Sequence, residues 1–467
     1  MKRAAMPPST PSPSLPPGPK SRWVLDHVYQ HMKDPLSFFV RERERYGDVV
    51  TFTMGKHPMV LLSHPDHARH VLVDNAANYA KSPEARRNRR FGRGLFPADG
   101  EHWRRQRRMA QPAFSRERLA GLVDTLVDST RSMLARWEEH ARGGEPLELL
   151  REMSRITLSQ MGRAVLTEDM NETRPRVRDS IRFIMTHDNR DRSLWDLIRI
   201  PRPSWRRYTN ALAALDEMIY EQIARRRQSP GEWDDMLSLL MAARDVETGE
   251  GMSDELLRDE VMNLFVGGHE STATALAWTW YQIHRHPQVE QRMRQEIAEV
   301  LGEREPGAQD LPNLRYTTQV FQESMRLLPP AWLVGRVAMG ADRIGGWDIP
   351  PGTMVGICTY LLHRHPDFWE DVETFDPERF DPERVAKRHR QAYMPFGAGQ
   401  RLCIGNHLAQ MQATVVLAMG LRRFRMEVRD KSALVLKAGL TLRARHGIQV
   451  RLESLPARES TARQSVG

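Results

Sequence analysis

At 467 residues, 40% of them hydrophobic, the chain is long enough to bury a large core. Two cysteines, Cys358 and Cys403, exclude a disulfide framework and fit a reducing, cytoplasmic setting. The net charge of +9 is carried mostly by arginine, and no run reaches the ~20 apolar residues that span a bilayer.

The first 20 residues, rich in proline, serine and threonine, lack the apolar core of a signal peptide and read as a disordered tail. Residues 21–455 show no internal linker and read as one domain, followed by a C-terminal tail at 456–467. Asp34-Pro35-Leu36 opens a helix to about residue 46, and strand-like pieces follow at 48–54 and 59–63 around a polar turn. Arg86, Arg87, Arg89, Arg90, Arg93, Arg104, Arg105, Arg107 and Arg108 then crowd together. Such a cluster suits a nucleic-acid patch, a solvated helix face or a surface for an acidic protein.

From about 101 to 294 the pattern is mainly helical, broken by a loop at Pro201 and Pro203. Residues 344–358 read as strands about the turn Pro350-Pro351-Gly352. Residues 366–400 read as an irregular meander, and 434–452 as the last β segment. The fold class is mainly α with small β sheets.

The spacing predicts a helix over 253–283, with Ser253 as N-cap and Asp254 and Glu255 suiting the positive end of the dipole. Its middle reads Gly267-Gly268-His269-Glu270-Ser271-Thr272. Each glycine costs a helix interior about 1 kcal/mol relative to alanine, so two of them beside an acid point to a functional site or to close helix packing. Glu323 and Arg326 stand at i, i+3 on a later helix, a common and weak pattern by itself. His284/His286 and His363/His365 precede prolines at helix ends and lack further ligands at metal-binding spacing.

Phe396-Gly397-Ala398-Gly399-Gln400-Arg401-Leu402-Cys403-Ile404-Gly405 places a cysteine in a glycine-rich turn just before an apolar, helix-forming run. Unpaired N–H groups at a helix start stabilise a thiolate, and glycines let a large flat group approach the backbone. A dinucleotide fingerprint is the poorer match, because Leu402 stands where its third glycine belongs. The segment resembles the haem-binding signature of the cytochrome P450 family, with Phe396, Gly399, Arg401, Cys403 and Gly405 at all fixed positions. Gly267, Gly268, Glu270 and Thr272 match the family's oxygen-activation helix, although Ser271 replaces the usual threonine.

This resemblance, over about residues 22–455, implies a bacterial-type, stand-alone haem domain folded as a helix-rich triangular prism. It implies haem b (iron protoporphyrin IX) with Cys403 as the iron ligand, and Trp103, Arg107, Arg336 and Arg401 about the propionates. Glu270 and Ser271 are expected to deliver protons, and Glu323, Arg326 and Arg379 to form a structural charge network. Phe265, Val266, Gly267, Trp332, Leu333, Val334 and Leu440 are expected around the substrate. The implied reaction is insertion of one oxygen atom from O2 into a lipophilic molecule, such as a terpene, fatty acid or polyketide. Electrons are expected from external NAD(P)H through a ferredoxin and its reductase, with Arg104, Arg105 and Arg108 as docking candidates on a monomer that binds no nucleic acid. Peroxide-driven or oxygen-rearranging chemistry is the alternative within the family.

Overall fold

Ser253 starts the helix on which the molecule is arranged, Asp254–Arg285. Its Oγ accepts the Leu256 N–H at 3.2 Å, and Asp254 and Glu255 occupy the first turn, where negative charge is favoured. The helix has 32 residues and is about 48 Å long. It ends before Pro287, which opens the helix Pro287–Leu301 and drives the preceding His286 out of helical geometry. The computed structural model describes residues 15–20, 26–54, 57–82, 92–188, 203–429 and 434–456. Arg86, Arg87, Arg89, Arg90 and Pro201 lie outside them, while Pro203 opens the helix Pro203–Gln228.

The helices Leu149–Leu166 and Arg315–Leu327 pack along this central helix. The helix Asn406–Arg423, which follows the cysteine loop, is buried on most sides, and Ala413, Val415, Val416, Leu417 and Ala418 have no exposed surface. Its Gly420 admits the Trp280 ring, which a Cβ there would strike. Trp280 in turn meets Trp137 edge-on at 5.8 Å, and Trp137 meets Phe424 at 5.6 Å. Together these rings fix the cysteine helix against the central helix.

A five-stranded sheet runs in the order Val49–Met54, His57–Leu62, Met354–Ile357, Val334–Ala338, Tyr79–Ala80, with His57–Leu62 and Met354–Ile357 parallel. A second sheet joins Leu147–Glu148, Gln449–Ser454 and Phe424–Val428, and a hairpin pairs Leu436–Ala438 with Leu442–Ala444. The N-terminal tail corrects the expectation of disorder through residue 20. Val49–Met54 is an edge strand, and the Pro17 carbonyl accepts its Thr51 N–H at 2.9 Å while Pro16 is buried. A proline run can cap an edge in this way because it supplies carbonyls without further donors. Among the described residues no helix is long and apolar enough to cross a membrane.

Candidate active site

The cysteine loop is closed by its own backbone. The Phe396 carbonyl accepts the Cys403 N–H at 3.0 Å, the Met394 carbonyl the Gly397 N–H at 3.0 Å, and the Gly399 carbonyl the Leu402 N–H at 3.1 Å. Gly399 is required twice over: its φ is +67°, and a Cβ would strike the Leu72 carbonyl. Phe396 is half-buried against the main core, and Gly405 directly precedes the cysteine helix. Cys403 is reachable by solvent yet closely walled by protein. Burial therefore pushes its thiol pKa up, with the Gly405 N–H and the Arg107 charge opposing. A metal ion at the sulfur would reverse that balance, since a coordinating thiol is deprotonated outright.

On the central helix the paired glycines have separate causes. Gly268 packs against Met161, whose side chain a Cβ would overlap. Gly267 is exposed in the middle of a buried helix, and nothing lies within 4 Å of a Cβ placed on it. One turn on, Ser271 is half-buried and its Oγ donates to the Gly267 carbonyl at 2.6 Å. Gly335 likewise faces open space. The central helix and the strand Val334–Ala338 thus each carry a glycine that leaves room beside the backbone.

Glu270 is buried and does not stand alone. Thr441 Oγ1 donates to its Oε1 at 2.8 Å, Arg443 forms an ion pair with the same oxygen, and Arg443 Nε donates to Thr441 Oγ1 at 2.9 Å. Both partners come from the 436–444 hairpin, far along the chain, and nothing in their local sequence marks them. The neighbouring His269 is buried with Nε2 between Ser154 Oγ (2.8 Å) and the Ser154 carbonyl (3.0 Å).

Three cations gather at the edge of a recess beside this strand. Arg401 lies over the Trp103 ring, 4.2 Å from its centroid, donates to the Ala98 carbonyl at 2.7 Å and pairs with Asp99. Arg336 donates to the Gly335 carbonyl at 2.8 Å, and burial lowers its pKa. Lys81, which sequence reasoning missed, donates to the Phe96 carbonyl; burial, then Arg401 and Arg336, push its pKa down to about 7. Trp103, Arg336 and Arg401 border this recess of about 420 Å³, and among the described residues Asp99 is the only acid lining it. Two carboxylates would satisfy this excess of positive charge, so the edge fits the propionates of haem. Arg107 is placed differently: it donates to the Leu402 carbonyl at 2.9 Å, beside Cys403.

Of the residues expected around the substrate, Leu333 and Val334 are half-buried, Gly267 is open and Leu440 is exposed at the hairpin turn. Phe265 and Val266 belong to a buried apolar cluster that also holds Leu158, Met161 and Val261. Trp332 turns into the main core beside Phe39, its indole N–H on the Gly439 carbonyl at 2.9 Å. The proposed docking arginines already have partners. Arg104 pairs with Glu101, Arg105 with Glu250 (2.9 Å), and Arg108 with Asp245 (2.9 Å) and Glu247 (2.8 Å).

Glu323 and Arg326 form a fully buried bidentate pair, at 2.7 and 2.8 Å. Arg326 also donates to the His363, Val372 and Thr374 carbonyls, and Arg379 Nε lies 3.5 Å from Glu323. His363 relays this network to the cysteine loop: its Nδ1 bonds the Arg326 carbonyl at 3.2 Å and its Nε2 accepts the Met394 N–H at 2.9 Å. His284 likewise bonds the backbone, at the Met426 carbonyl, and His286 the Gln282 carbonyl, whereas His365 Nε2 meets Asp48 Oδ2 at 3.1 Å.

Burial pushes the pKa of His363 down to about 3 and that of His269 to about 4. Both stay neutral in the folded chain but protonate near 6.5 when unfolded, so stability is full above pH 6.5 and falls below it. The loss is about 1.4 kcal/mol per pH unit for each histidine until its folded pKa is reached. Thermal melts between about pH 7 and 4 check this, and a midpoint that does not move would refute it.

Comparison with known proteins agrees with this geometry. The cytochrome P450 family model matches residues 16–450. Cyclooctatin synthase of Streptomyces melanosporofaciens is 34% identical over 89% of this chain and 92% of its own length. Cyclooctat-9-en-7-ol 5-monooxygenase of the same organism is 33% identical, covering 87% and 88%. Pentalenene oxygenase of Streptomyces avermitilis is 31% identical, covering 87% and 90%. The crystal structure of the cytochrome P450DA heme domain superposes with a TM-score of 0.85 at 25% identity, covering 95% of this chain and 98% of that one. With the family model matching nearly the whole chain and relatives above 30% identity over most of its length, this chain belongs to the cytochrome P450 family and is a haem mono-oxygenase.

Proposed function

We propose that the enzyme oxidises a terpene, with residues 21–455 forming a single haem domain. The similarity to relatives named for cyclooctatin and pentalenene chemistry carries the choice of terpene over fatty acid or polyketide. The largely apolar Leu333, Val334 and Leu440 are in keeping with such a substrate.

Haem b, when bound, supplies O2 activation: one oxygen atom enters a C–H or C=C bond and the other leaves as water, with two electrons and two protons consumed. Cys403 Sγ would hold the iron, and Trp103, Arg336, Arg401 and Lys81 would hold the propionates. Arg107 would steady the Leu402–Cys403 peptide. Ser271 Oγ, with its proton committed to the Gly267 carbonyl, keeps lone pairs to receive a hydrogen bond. Glu270 would pass protons toward it, and Arg443 would hold the carboxylate between transfers. We assign the electrons to NAD(P)H by way of a ferredoxin and its reductase, and the monomeric enzyme to the cytoplasm, where two cysteines outside any disulfide are at home.

Three measurements test this reading. The reduced carbon monoxide complex should show the red-shifted Soret band of thiolate ligation, lost in Cys403→Ser. A spectral-shift screen should then rank terpenes above fatty acids and macrolides; a preference for either of those would remove the terpene assignment. Turnover with hydrogen peroxide alone that equals the ferredoxin-supported rate would favour the peroxide-driven alternative.

A further inference from the structure

Glu260 is a buried acid that the chemistry above does not use. It precedes Gly267 by seven residues and Ser271 by eleven on the central helix, so all three project within about 20° of one direction. Gly267 and Ser271 mark the open stretch of that face. Glu260 lies about 10 Å along the axis from the first and about 17 Å from the second.

The segment 92–96 crosses the helix here. Asp259 accepts the Arg93 N–H at 2.7 Å and pairs with Arg258 at 2.8 Å, while Asn263 Oδ1 accepts the Phe96 N–H at 2.9 Å. Those two side chains already secure the segment. Glu260 is 2% exposed; the Leu95 N–H bonds its carboxyl group, but Oε1 has no partner. Burial pushes its pKa up to about 8, the Leu95 N–H opposing and the Asp259 charge reinforcing. At neutral pH it is therefore largely a carboxylic acid, with both a donor and spare acceptor capacity. A buried carboxyl oxygen without a partner is costly and calls for an explanation.

We propose that the Glu260 carboxyl group is a polar anchor of the substrate site, hydrogen-bonding an oxygen already present on the substrate. The enzyme then takes a terpene alcohol in preference to a hydrocarbon and oxidises it at a carbon remote from that hydroxyl. The carbon skeleton rests on the terpene reading; the anchor does not.

Two matched pairs separate these claims: abietadienol with abietadiene, and 1-dodecanol with dodecane, each titrated into haem-loaded enzyme by spectral shift. The alcohol should bind about tenfold more tightly than its hydrocarbon. Glu260→Leu should abolish that preference with hydrocarbon affinity unchanged, and Glu260→Gln, which keeps a donor, should retain most of it. In the infrared, a protonated-carboxyl band absent from Glu260→Gln should move when the alcohol binds, a readout that does not depend on the leucine variant folding. Equal binding within both pairs, a preference that survives Glu260→Leu, or a carboxyl band that is absent or unmoved would overturn the anchor. Discrimination in the dodecanol pair without any diterpene binding would remove the terpene reading and leave the anchor standing. No shift with any of the four would overturn both.

Discussion

Arg326→Ala is expected to destabilise the fold by roughly 3–5 kcal/mol, because it strips a buried carboxylate of its cation. The guanidinium has five N–H donors, and all five are used: two on Glu323 and one each on the His363, Val372 and Thr374 carbonyls. Removal leaves Glu323, which has no exposed surface, with the more distant Arg379 and the Asp376 N–H, and it orphans three carbonyls of the segment leading to the cysteine loop. Arg326→Lys should fail almost as badly, since an ammonium has three donors and no planar fork. The loss of packing order would reach Cys403 through His363 and Met394, so haem content should fall with stability. Thermal melting and the haem-to-protein ratio measure both effects. A variant that melts within about 1 °C of the parent, against the roughly 3–6 °C this energy implies for a domain of this length, would show that the network is not the support of the cysteine loop.

The contrast between this network and the acid at 270 shows what the chain discloses locally. Glu323 and Arg326 sit at helical spacing, so their pairing follows from the i, i+3 geometry of one helix. The central helix was equally legible, since Ser253, the acids after it and Pro287 fix its ends by local chemistry. The loop glycines could be placed in a turn, but only the structure shows that Gly399 must pass the Leu72 carbonyl while Gly397 needs only its positive φ. Arg443 and Thr441 reach Glu270 across more than 170 residues of chain, through a hairpin of three-residue strands with no distinguishing pattern. Lys81 joins Arg336 and Arg401 only because the segment before it folds against the strand Val334–Ala338. The arginines at 105 and 108 mislead for the opposite reason: their count suggests free positive charge, and folding spends it on Asp245, Glu247 and Glu250.

Glu270→Gln should lower product formation by about 10²–10⁴-fold, the usual worth of a positioned proton donor. The amide keeps the size of the side chain and can still bond Thr441, so the carbon monoxide spectrum and substrate affinity should hold. Electrons that no longer reach product should appear as hydrogen peroxide. Arg443→Leu acts differently: it leaves the Glu270 carboxylate buried without its cation, so the loss should appear first as stability. Arg443→Lys restores a charge and should recover most of that stability, which separates support of the acid from proton transfer by it. Ser271 supplies the complementary test. Its Oγ bond to the Gly267 carbonyl is available to a threonine as well, and the added methyl group would hold that rotamer more firmly. Ser271→Thr should therefore raise the fraction of electrons recovered in product, whereas Ser271→Ala, with no hydroxyl to accept a hydrogen bond, should lower it. Electron consumption set against product and peroxide measures all of these. If Glu270→Gln and Ser271→Ala both leave that ratio unchanged, proton delivery does not run through this face of the helix.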